Sequence, residues 1–359
     1  MTSTAELAAS SAAPDAYQWA EPIALSGDSY AIGHQHGSAL KERIIAFRDD
    51  ALYRINRILH KPTSMAELSP QIDAYVEAIR TYTPALLDEI RGLADGAGML
   101  FEEAVLLQIR REMIGYSRTR TNGDCTTFAR SGPSAALGQT IDLNGNMEQQ
   151  LCILNVSRSN SRRVLLLSFT GLLGYLGLNE DGVAIGLNLV LGGSWEPGIP
   201  PYLVIRHLLD NAGSAQECME LLRGLRVTGS RSLTICDRHH VFNVEILANT
   251  LSVTEHRQSV HANHFLNPAF AEQDQLNIFA RNSSVRRQDA CHAGLLAIAP
   301  DAAPQAYLDM FSQEPIYVPG SSDIRRERTV ASVLMTPGDG TMWVQSGDQA
   351  QGRRFQFQL

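Results

Sequence analysis

The sequence predicts an α+β protein in which two antiparallel sheets pack together and helices cover their outer faces. Residues 38–122 carry apolar side chains at helical spacing. After Cys125 the pattern changes to short β-prone runs separated by Gly, Asn or Asp, interrupted by helical segments at residues 201–211, 214–225 and 284–298. Strand runs broken by helix pairs are typical of packed sheets with helices outside.

Capping residues divide the helical part into separate helices. Apolar spacing predicts helices over residues 40–59 and 103–113. Ser69 and Pro70 are expected to be the N-cap and first residue of another helix, and Pro84 begins a further one that ends near Gly98.

The β-prone runs predict short strands at residues 126–129, 137–143, 164–169, 175–178, 183–189, 233–236, 241–246 and 251–256. The first two flank a Ser-Gly-Pro-Ser turn at residues 131–134, and a turn sequence precedes Cys125. Cys125 is therefore predicted to stand at the head of a hairpin.

Composition describes a globular chain and excludes several classes. With 359 residues, the chain is long enough for one large or two modest domains. The net charge of -8 argues against nucleic acid as a partner, because binding a phosphate backbone needs clustered basic side chains. The five cysteines are an odd number without CxxC spacing, which argues against a disulfide framework and a thiolate zinc site.

The expected location is the cytoplasm. The cysteine usage suits a reducing compartment, and the first residues lack the pattern of a secretory signal. No run of about 18 apolar residues suggests a membrane span. Residues 1–17, rich in Ala, Ser and Thr, are expected to form a disordered tail.

Four separated motifs resemble one enzyme family. They are Ile-Gly-His-Gln-His-Gly at residues 32–37, Asp-Cys-Thr-Thr at 124–127, Asn-Glu-Asp-Gly-Val-Ala at 179–184 with Gly-Ile-Pro at 198–200, and His-Ala-Asn-His at 261–264. In this order they resemble the acyl-coenzyme A:6-aminopenicillanate acyltransferase family of autoproteolytic, N-terminal nucleophile hydrolases. The resemblance spans roughly residues 25–350.

The resemblance implies a four-layer αββα sandwich, and it implies that the chain cleaves itself between Asp124 and Cys125. Residues 18–124 would be the helical N-terminal segment and residues 125–359 the β-rich catalytic segment, interlocked as one folded unit. The mature protein would then be an αβ heterodimer from one precursor, with a higher oligomer possible. No cofactor is expected.

Cleavage would give Cys125 both roles of a catalytic pair. Its thiol would be the nucleophile, and its new α-amino group, with a reference pKa near 7.7 to 8, would be the base. By resemblance, Asp142 would orient that amine, and Asn263 would donate to the oxyanion of the tetrahedral intermediate. A second donor is expected from the backbone near Asn188 and Leu189.

Substrate contacts are predicted around the same hairpin. Residues 188–201, which carry Trp195, are expected to form the wall of a pocket for an apolar or aromatic acyl group, and Tyr175 is expected to face this wall. Thr127 and Asn188 are further candidates for substrate contact. Asp142 has an alternative interpretation as a solvated turn residue beside Asn144.

Two departures from the penicillin-forming relatives stand out. Asp124 occupies the position before the cysteine where those relatives have glycine, and residues 315–320 replace a Cys-Arg pair that assists processing there. Arg325, Arg326 and Arg328 are candidates for the missing charge. These departures predict a substrate different from penicillin intermediates.

The sequence therefore predicts a self-processing cysteine amidohydrolase that acts on a small N-acyl compound. Two alternatives remain open within the fold: an acyltransferase that passes the acyl group to an amine, and an uncleaved binding protein. A third alternative is a metal hydrolase using His34, His36, His261 and His264. That reading is disfavoured, and His34 and His36 are expected instead to fix the N-terminal segment by hydrogen bonds.

Overall fold

The computed structural model describes residues 20–58, 63–114, 125–321, 326–347 and 353–359. The predicted tail at residues 1–17 and the residue before the predicted cleavage point, Asp124, lie outside these ranges. None of the helices within them is both long and apolar enough to cross a membrane.

The helices are α1 (Ser29–Ala39), α2 (Lys41–Ile58), α3 (Met65–Tyr82), α4 (Pro84–Ala97), α5 (Phe101–Ile114), α6 (Pro201–Asn211), α7 (Ala215–Arg223), α8 (Pro268–Ala271), α9 (Ile278–Ala297) and α10 (Pro304–Phe311). The predicted start of α3 at Ser69 and Pro70 is wrong. Ser64 and Glu67 form a capping box that satisfies the helix terminus earlier, and Pro70 lies inside the helix. The prediction for α4 is confirmed, with Pro84 at its start and left-handed Gly98 after its end.

The strands are β1 (Ile23–Gly27), β2 (Thr127–Arg130), β3 (Ala136–Asn144), β4 (Leu151–Arg158), β5 (Arg163–Phe169), β6 (Leu176–Asn179), β7 (Ala184–Leu189), β8 (Arg231–Cys236), β9 (Val241–Leu247), β10 (Thr250–His256), β11 (Gln258–His261), β12 (Glu327–Thr336), β13 (Thr341–Ser346) and β14 (Arg354–Gln358). All eight predicted strands are present, with ends that differ by one or two residues. Strand β12 contains residues 328–333, where the family resemblance implies a strand, and the strands β1, β4, β11, β13 and β14 were not predicted.

Two sheets form from these strands. One has the order β1-β4-β5-β6-β7-β8-β9-β10, and the other has the order β11-β2-β3-β12-β13-β14. Neighbouring strands within the described residues are antiparallel, except that β1 runs parallel to β4. The predicted hairpin is confirmed, since β2 pairs with β3 and places Thr127 opposite Gln139.

The sheets pack face to face between outer layers of helices, which confirms the predicted αββα sandwich. Gly186 of β7 faces Leu137 and Thr127 of the hairpin formed by β2 and β3, which is where the two sheets meet. On the outer side of the second sheet, Phe128 packs with Phe311 of α10. Helix α6 covers the first sheet by contacting β5, β6 and β7. Because side chains alternate between the two faces of a strand, one face of each sheet packs against the other sheet and the opposite face packs against helices.

The first helices are fixed to each other by close backbone contact. A side chain at Gly33 would place its Cβ 1.9 Å from Glu89 O, and one at Gly92 would place it 2.0 Å from Tyr30 O. Helices α1 and α4 therefore cross at a distance that only glycine permits. This packing, rather than chemistry, accounts for the glycines of the 32–37 motif.

The expectation that His36 makes hydrogen bonds is wrong. Its ring is fully buried, and neither nitrogen has a hydrogen-bond partner within the described part of the chain. Burial, together with the charges of Arg206 and Arg43, lowers its pKa to about 3, so the ring is neutral. His34 is exposed on α1 and stacks beside Tyr30.

A buried charge cluster joins the N-terminal helices to the rest. Arg206 of α6 donates to both carboxylate oxygens of Glu89 on α4, at 2.9 and 3.0 Å. Its Nε donates to Asp210 at 2.9 Å, and Arg158 lies 3.3 Å from the same carboxylate. Two cations and two anions thus balance in the interior, which lessens the cost of burying them.

Candidate active site

Cys125 lies immediately before β2, and only 4% of its surface is exposed. Two hydrogen bonds fix this entry to the sheet. Thr126 N donates to Thr140 Oγ1 at 3.0 Å, and Thr140 N donates to Thr126 O at 2.9 Å. Since Leu137 and Ala129 of the same hairpin face the other sheet, strand alternation directs Cys125 to that inner side as well.

A narrow pocket surrounds the thiol. Its wall combines apolar, aromatic and cationic side chains: Leu143, Leu187, Leu189, Tyr175, Tyr202, Arg111 and Arg231. The pocket volume is about 20 Å³, little more than the space that one water needs. A group much larger than a water molecule could therefore enter only if these side chains moved.

Tyr175 is part of the pocket wall. Its hydroxyl lies 4.0 Å from Cys125 Sγ, and its ring packs against Phe169 and Tyr202. Burial raises the pKa of Tyr175 well above its usual value, and the neighbouring Cys125 adds to this rise. The phenol is therefore neutral, and it can donate a hydrogen bond toward sulfur or toward a bound substrate.

Arg231 forms the polar side of the pocket. It donates to Glu112 Oε1 at 2.9 Å, and its guanidinium lies 5.1 Å from the centre of the Trp195 ring. Burial raises the pKa of Glu112, although Arg231 opposes this effect. Trp195 is therefore not part of the pocket wall, but it packs against Arg231, which is.

The carbonyl oxygen of Cys125 is held by two donors. Asn188 Nδ2 donates to it at 2.9 Å, and Arg287 Nη1 donates to it at 3.0 Å. Asn188 is fully buried on β7. The backbone at the candidate nucleophile therefore has a fixed orientation, which is a requirement for directed attack.

Arg287 is a site residue that the sequence reasoning missed. From α9 it donates to Thr126 Oγ1 at 2.9 Å and to Asn263 Oδ1 at 2.8 Å, and 1% of it is exposed. It thereby connects Cys125 with Asn263. Nothing in the local pattern of α9 distinguishes Arg287 from the adjacent Arg286, because only packing determines which guanidinium is buried.

Asn263 is positioned by three contacts. Its side chain accepts from Arg287, its Nδ2 donates to Leu189 O at 2.9 Å, and its backbone N donates to Ser284 Oγ at 2.7 Å. The structure thus brings Asn263 to the network around Cys125, in agreement with its predicted location. Ser284 was not predicted.

Asp142 is fully buried on β3 and is not a solvated turn residue. Its Oδ1 accepts from Thr329 Oγ1 at 2.7 Å, and Thr329 lies opposite it on β12. Thr127, another predicted residue, is also fully buried, on β2. Its side chain is not among those that form the pocket wall.

The other four cysteines differ from Cys125 in their surroundings. Each is buried as a free thiol, and none is in the wall of the pocket. Burial raises the pKa of Cys152 and of Cys291 to about 12, and it raises the pKa of Cys218 and Cys236 further. Such thiols stay protonated and unreactive near neutral pH.

The motif histidines occupy separate places. His261 lies 2.9 Å from Glu245, and His264 Nδ1 lies 2.8 Å from Ser284 Oγ. Over the residues that the structure describes, no three His, Cys, Asp or Glu side chains form a group suited to a metal ion.

Of the three arginines considered as replacements for the Cys-Arg pair, Arg325 lies outside the described residues. Arg328 forms an ion pair with Glu148 at 2.5 Å and also donates to Thr329 O. It therefore lies on β12, the strand whose Thr329 contacts Asp142. Arg326 is exposed.

Comparisons with solved structures agree with this fold. Penicillin V acylase from Agrobacterium tumefaciens superposes with a TM-score of 0.51 at 15% identity, covering 66% of this chain and 86% of that one. A mutant conjugated bile acid hydrolase from Clostridium perfringens gives a TM-score of 0.51 at 12% identity, covering 66% of this chain and 92% of that one. Both likenesses concern the fold alone.

Sequence comparison identifies the family. The acyl-coenzyme A:6-aminopenicillanic-acid-acyltransferase 40 kDa form of Emericella nidulans is 27% identical over 250 residues, which are 68% of this chain and 69% of that protein. The family model for acyl-coenzyme A:6-aminopenicillanic acid acyl-transferase matches residues 129–351, more than half of the chain. The protein therefore belongs to the acyl-coenzyme A:6-aminopenicillanic acid acyl-transferase family.

Proposed function

We propose that this protein is a self-processing cysteine amidohydrolase that cleaves small N-acyl amides through an acyl-Cys125 intermediate. The observation that carries the proposal is the placement of Cys125. It stands at the entry of a central strand, in the wall of a pocket, with its carbonyl held by Asn188 and Arg287. The family supports chemistry on acyl groups.

Self-processing would create the catalytic base. Cys125 Sγ attacks the carbonyl carbon of Asp124, and the peptide C–N bond breaks to leave a thioester and a free α-amino group. Water then hydrolyses the thioester, which leaves residue 124 with a C-terminal main-chain carboxylate and restores the Cys125 thiol. The hydrogen bonds to Cys125 O hold the downstream side of this bond rigid. Asp142, buried on the adjacent strand, is proposed to orient the new amine.

Turnover would repeat this chemistry on a substrate amide. The α-amino group takes the thiol proton, Sγ attacks the acyl carbon, and Asn263 Nδ2 stabilises the oxyanion. The leaving amine receives the proton, and water then hydrolyses the acyl-enzyme. Arg287 supports oxyanion stabilisation by Asn263. It donates to the carboxamide oxygen of Asn263, and this orients the amide nitrogen away from the guanidinium.

The pocket wall indicates the acyl group. Leu143, Leu187 and Leu189 provide apolar surface, and Tyr175 and Tyr202 provide aromatic surface. An apolar or aromatic acyl group gains free energy by leaving water for such a wall. Trp195 is proposed to affect binding through Arg231, and Thr127 through the packing behind Cys125.

Cleaved segments would stay together as an αβ heterodimer. β1 pairs with β4 across the boundary, and Glu89 binds Arg206 inside the core. Glu112 likewise binds Arg231, with both side chains almost fully buried. A covalent bond at residues 124–125 is therefore not needed to keep the N-terminal helices in place.

The proposal is tested by intact mass under denaturing conditions. We expect two fragments, residues 1–124 and 125–359, from wild-type protein and from the matched control Cys152→Ala. Cys125→Ala should remain a single folded chain. An uncut wild-type protein would contradict self-processing and favour a non-catalytic binding protein.

A second experiment tests the acyl-enzyme. An aryl-acyl amide or thioester should add its acyl mass to the fragment that begins at Cys125, and hydroxylamine should remove it. The absence of an adduct with any donor would contradict the catalytic role of Cys125.

An acyltransferase is the second candidate, because the matched family model and the Emericella nidulans relative are both named for acyl transfer. Adding small amines to the acylated protein separates the two functions. A hydrolase releases mainly the free acid, whereas a transferase forms a new amide in proportion to amine concentration. We expect the acid to dominate, and dominant amide formation would assign the protein as a transferase.

A further inference from the structure

One carboxylate ties both ends of the loop that carries Asn263. Glu245 lies on β9 of the first sheet, and His261 ends β11 of the second sheet. His261 Nε2 lies 2.9 Å from Glu245 Oε1 at the start of the loop. At its end, Leu266 N donates to Glu245 Oε1 at 2.6 Å and Asn267 N donates to Oε2 at 2.8 Å.

The partners of His261 hold its ring in place. Its Nδ1 lies 2.8 Å from the carbonyl oxygen of Ala262, and its Nε2 lies 2.9 Å from Glu245 Oε1, which also accepts from Leu266 N. The ring is fully buried, so these contacts are shielded from water.

Glu245 is suited to the ionised state. Burial alone would raise its pKa, but the hydrogen bond and charge of His261 and the two backbone amides outweigh burial and lower it. The neighbouring His264 is neutral, since burial, His261 and Arg281 lower its pKa to about 4. Ser284 can then accept from Asn263 N and donate to His264 Nδ1.

We propose that Glu245 and His261 are positioning residues that hold the Asn263 loop between the two sheets in the orientation that oxyanion stabilisation needs. This inference rests on the proposed function of Asn263. The contact between Glu245 and His261 joins β9 to β11, so it also fixes the spacing of the sheets where the loop crosses. Glu245 and His261 act through Asn263 and do not touch the acyl group.

The functional test is a double-mutant cycle on kcat. Glu245→Gln leaves one acceptor oxygen for three donors. We expect this variant to lower kcat by about tenfold or more, but by no more than Asn263→Ala does, with little change in KM. In the Asn263→Ala background the same change should have almost no further effect, because the positioned group is absent. Glu255→Gln, exposed on β10, is the matched control.

Two outcomes of this cycle would overturn the proposal: an unchanged kcat for Glu245→Gln, or an equal loss in both backgrounds. A wild-type protein that never acylates Cys125 would instead overturn the proposed function. His261→Gln keeps an N–H donor for Glu245, so it should retain more activity than His261→Ala, and equal losses would contradict the pairing.

A spectroscopic measurement tests the pair without any assay of activity. In protein labelled with ¹⁵N-histidine, the Nε2 signal of His261 should report its contact with Glu245. Glu245→Gln should shift that signal, while Glu255→Gln should leave it in place. A signal that does not move in Glu245→Gln would contradict the proposed pairing.

Discussion

Glu89→Gln tests how the N-terminal helices are joined to the catalytic segment. In the native protein Arg206 is fully buried and binds both carboxylate oxygens of Glu89, of which 1% is exposed. Glutamine keeps the shape and one acceptor oxygen, but its NH₂ group then faces an N–H of Arg206. The substitution therefore removes one hydrogen bond and one negative charge from a buried cluster of charged side chains.

The expected loss follows from the local charge balance. The native cluster has two cations, Arg158 and Arg206, and two anions, Glu89 and Asp210, so glutamine leaves an excess positive charge. Removing one partner of a buried pair costs about 3–5 kcal/mol. Because Asp210 still binds Arg206 at 2.9 Å, we expect the lower end, about 3 kcal/mol. That is a large share of the roughly 5–15 kcal/mol by which domains are stable.

The assay is urea unfolding of Glu89→Gln in the Cys125→Ala background, which keeps a single chain and makes unfolding independent of concentration. The control is Glu77→Gln. Glu77 forms an ion pair with Arg80 at the surface, where the two side chains are 65% and 53% exposed, respectively. This control should leave the free energy of unfolding almost unchanged. If both variants unfold alike, the buried cluster does not join the segments and the reasoning is refuted.

Three further predictions concern the candidate site. Asn263→Ala should lower turnover by about a hundredfold or more without unfolding the protein, measured with an aryl-acyl amide; an unchanged rate would refute its oxyanion role. Asp142→Asn should slow processing, so that uncut precursor accumulates on a denaturing gel, and normal cleavage would count against its role. Iodoacetamide near neutral pH should alkylate Cys125 first, because burial raises the pKa of Cys152 and Cys291 to about 12. Equal labelling of the three thiols would contradict that order.

Several features of the fold could be predicted from the sequence. Apolar periodicity and capping residues located α4 and α6, and alternation with turn residues located the hairpin that follows Cys125. These signals are local, because a helix or hairpin depends on residues a few positions apart. Motif order then indicated the family that the family model later matched.

Other elements depended on contacts that no local pattern contains. The parallel pairing of β1 with β4 joins residues more than a hundred positions apart. Ser64 displaced the predicted N-cap at Ser69, since its side chain and Glu67 satisfy the helix terminus first. The ring of His36 is fully buried, and its nitrogens meet no hydrogen-bond partner in the described part of the chain, which a local motif cannot reveal.

For the site, the sequence by itself identified Cys125, Asp142 and Asn263 as candidates, because the short motifs that carry the family resemblance are local properties of the chain. Only the tertiary structure decided which side chains surround them. Arg287 became the connection between Cys125 and Asn263 because the packing of α9 buries it there, whereas its neighbour Arg286 is exposed. A buried charge needs partners from distant elements, and the folded chain alone supplies them.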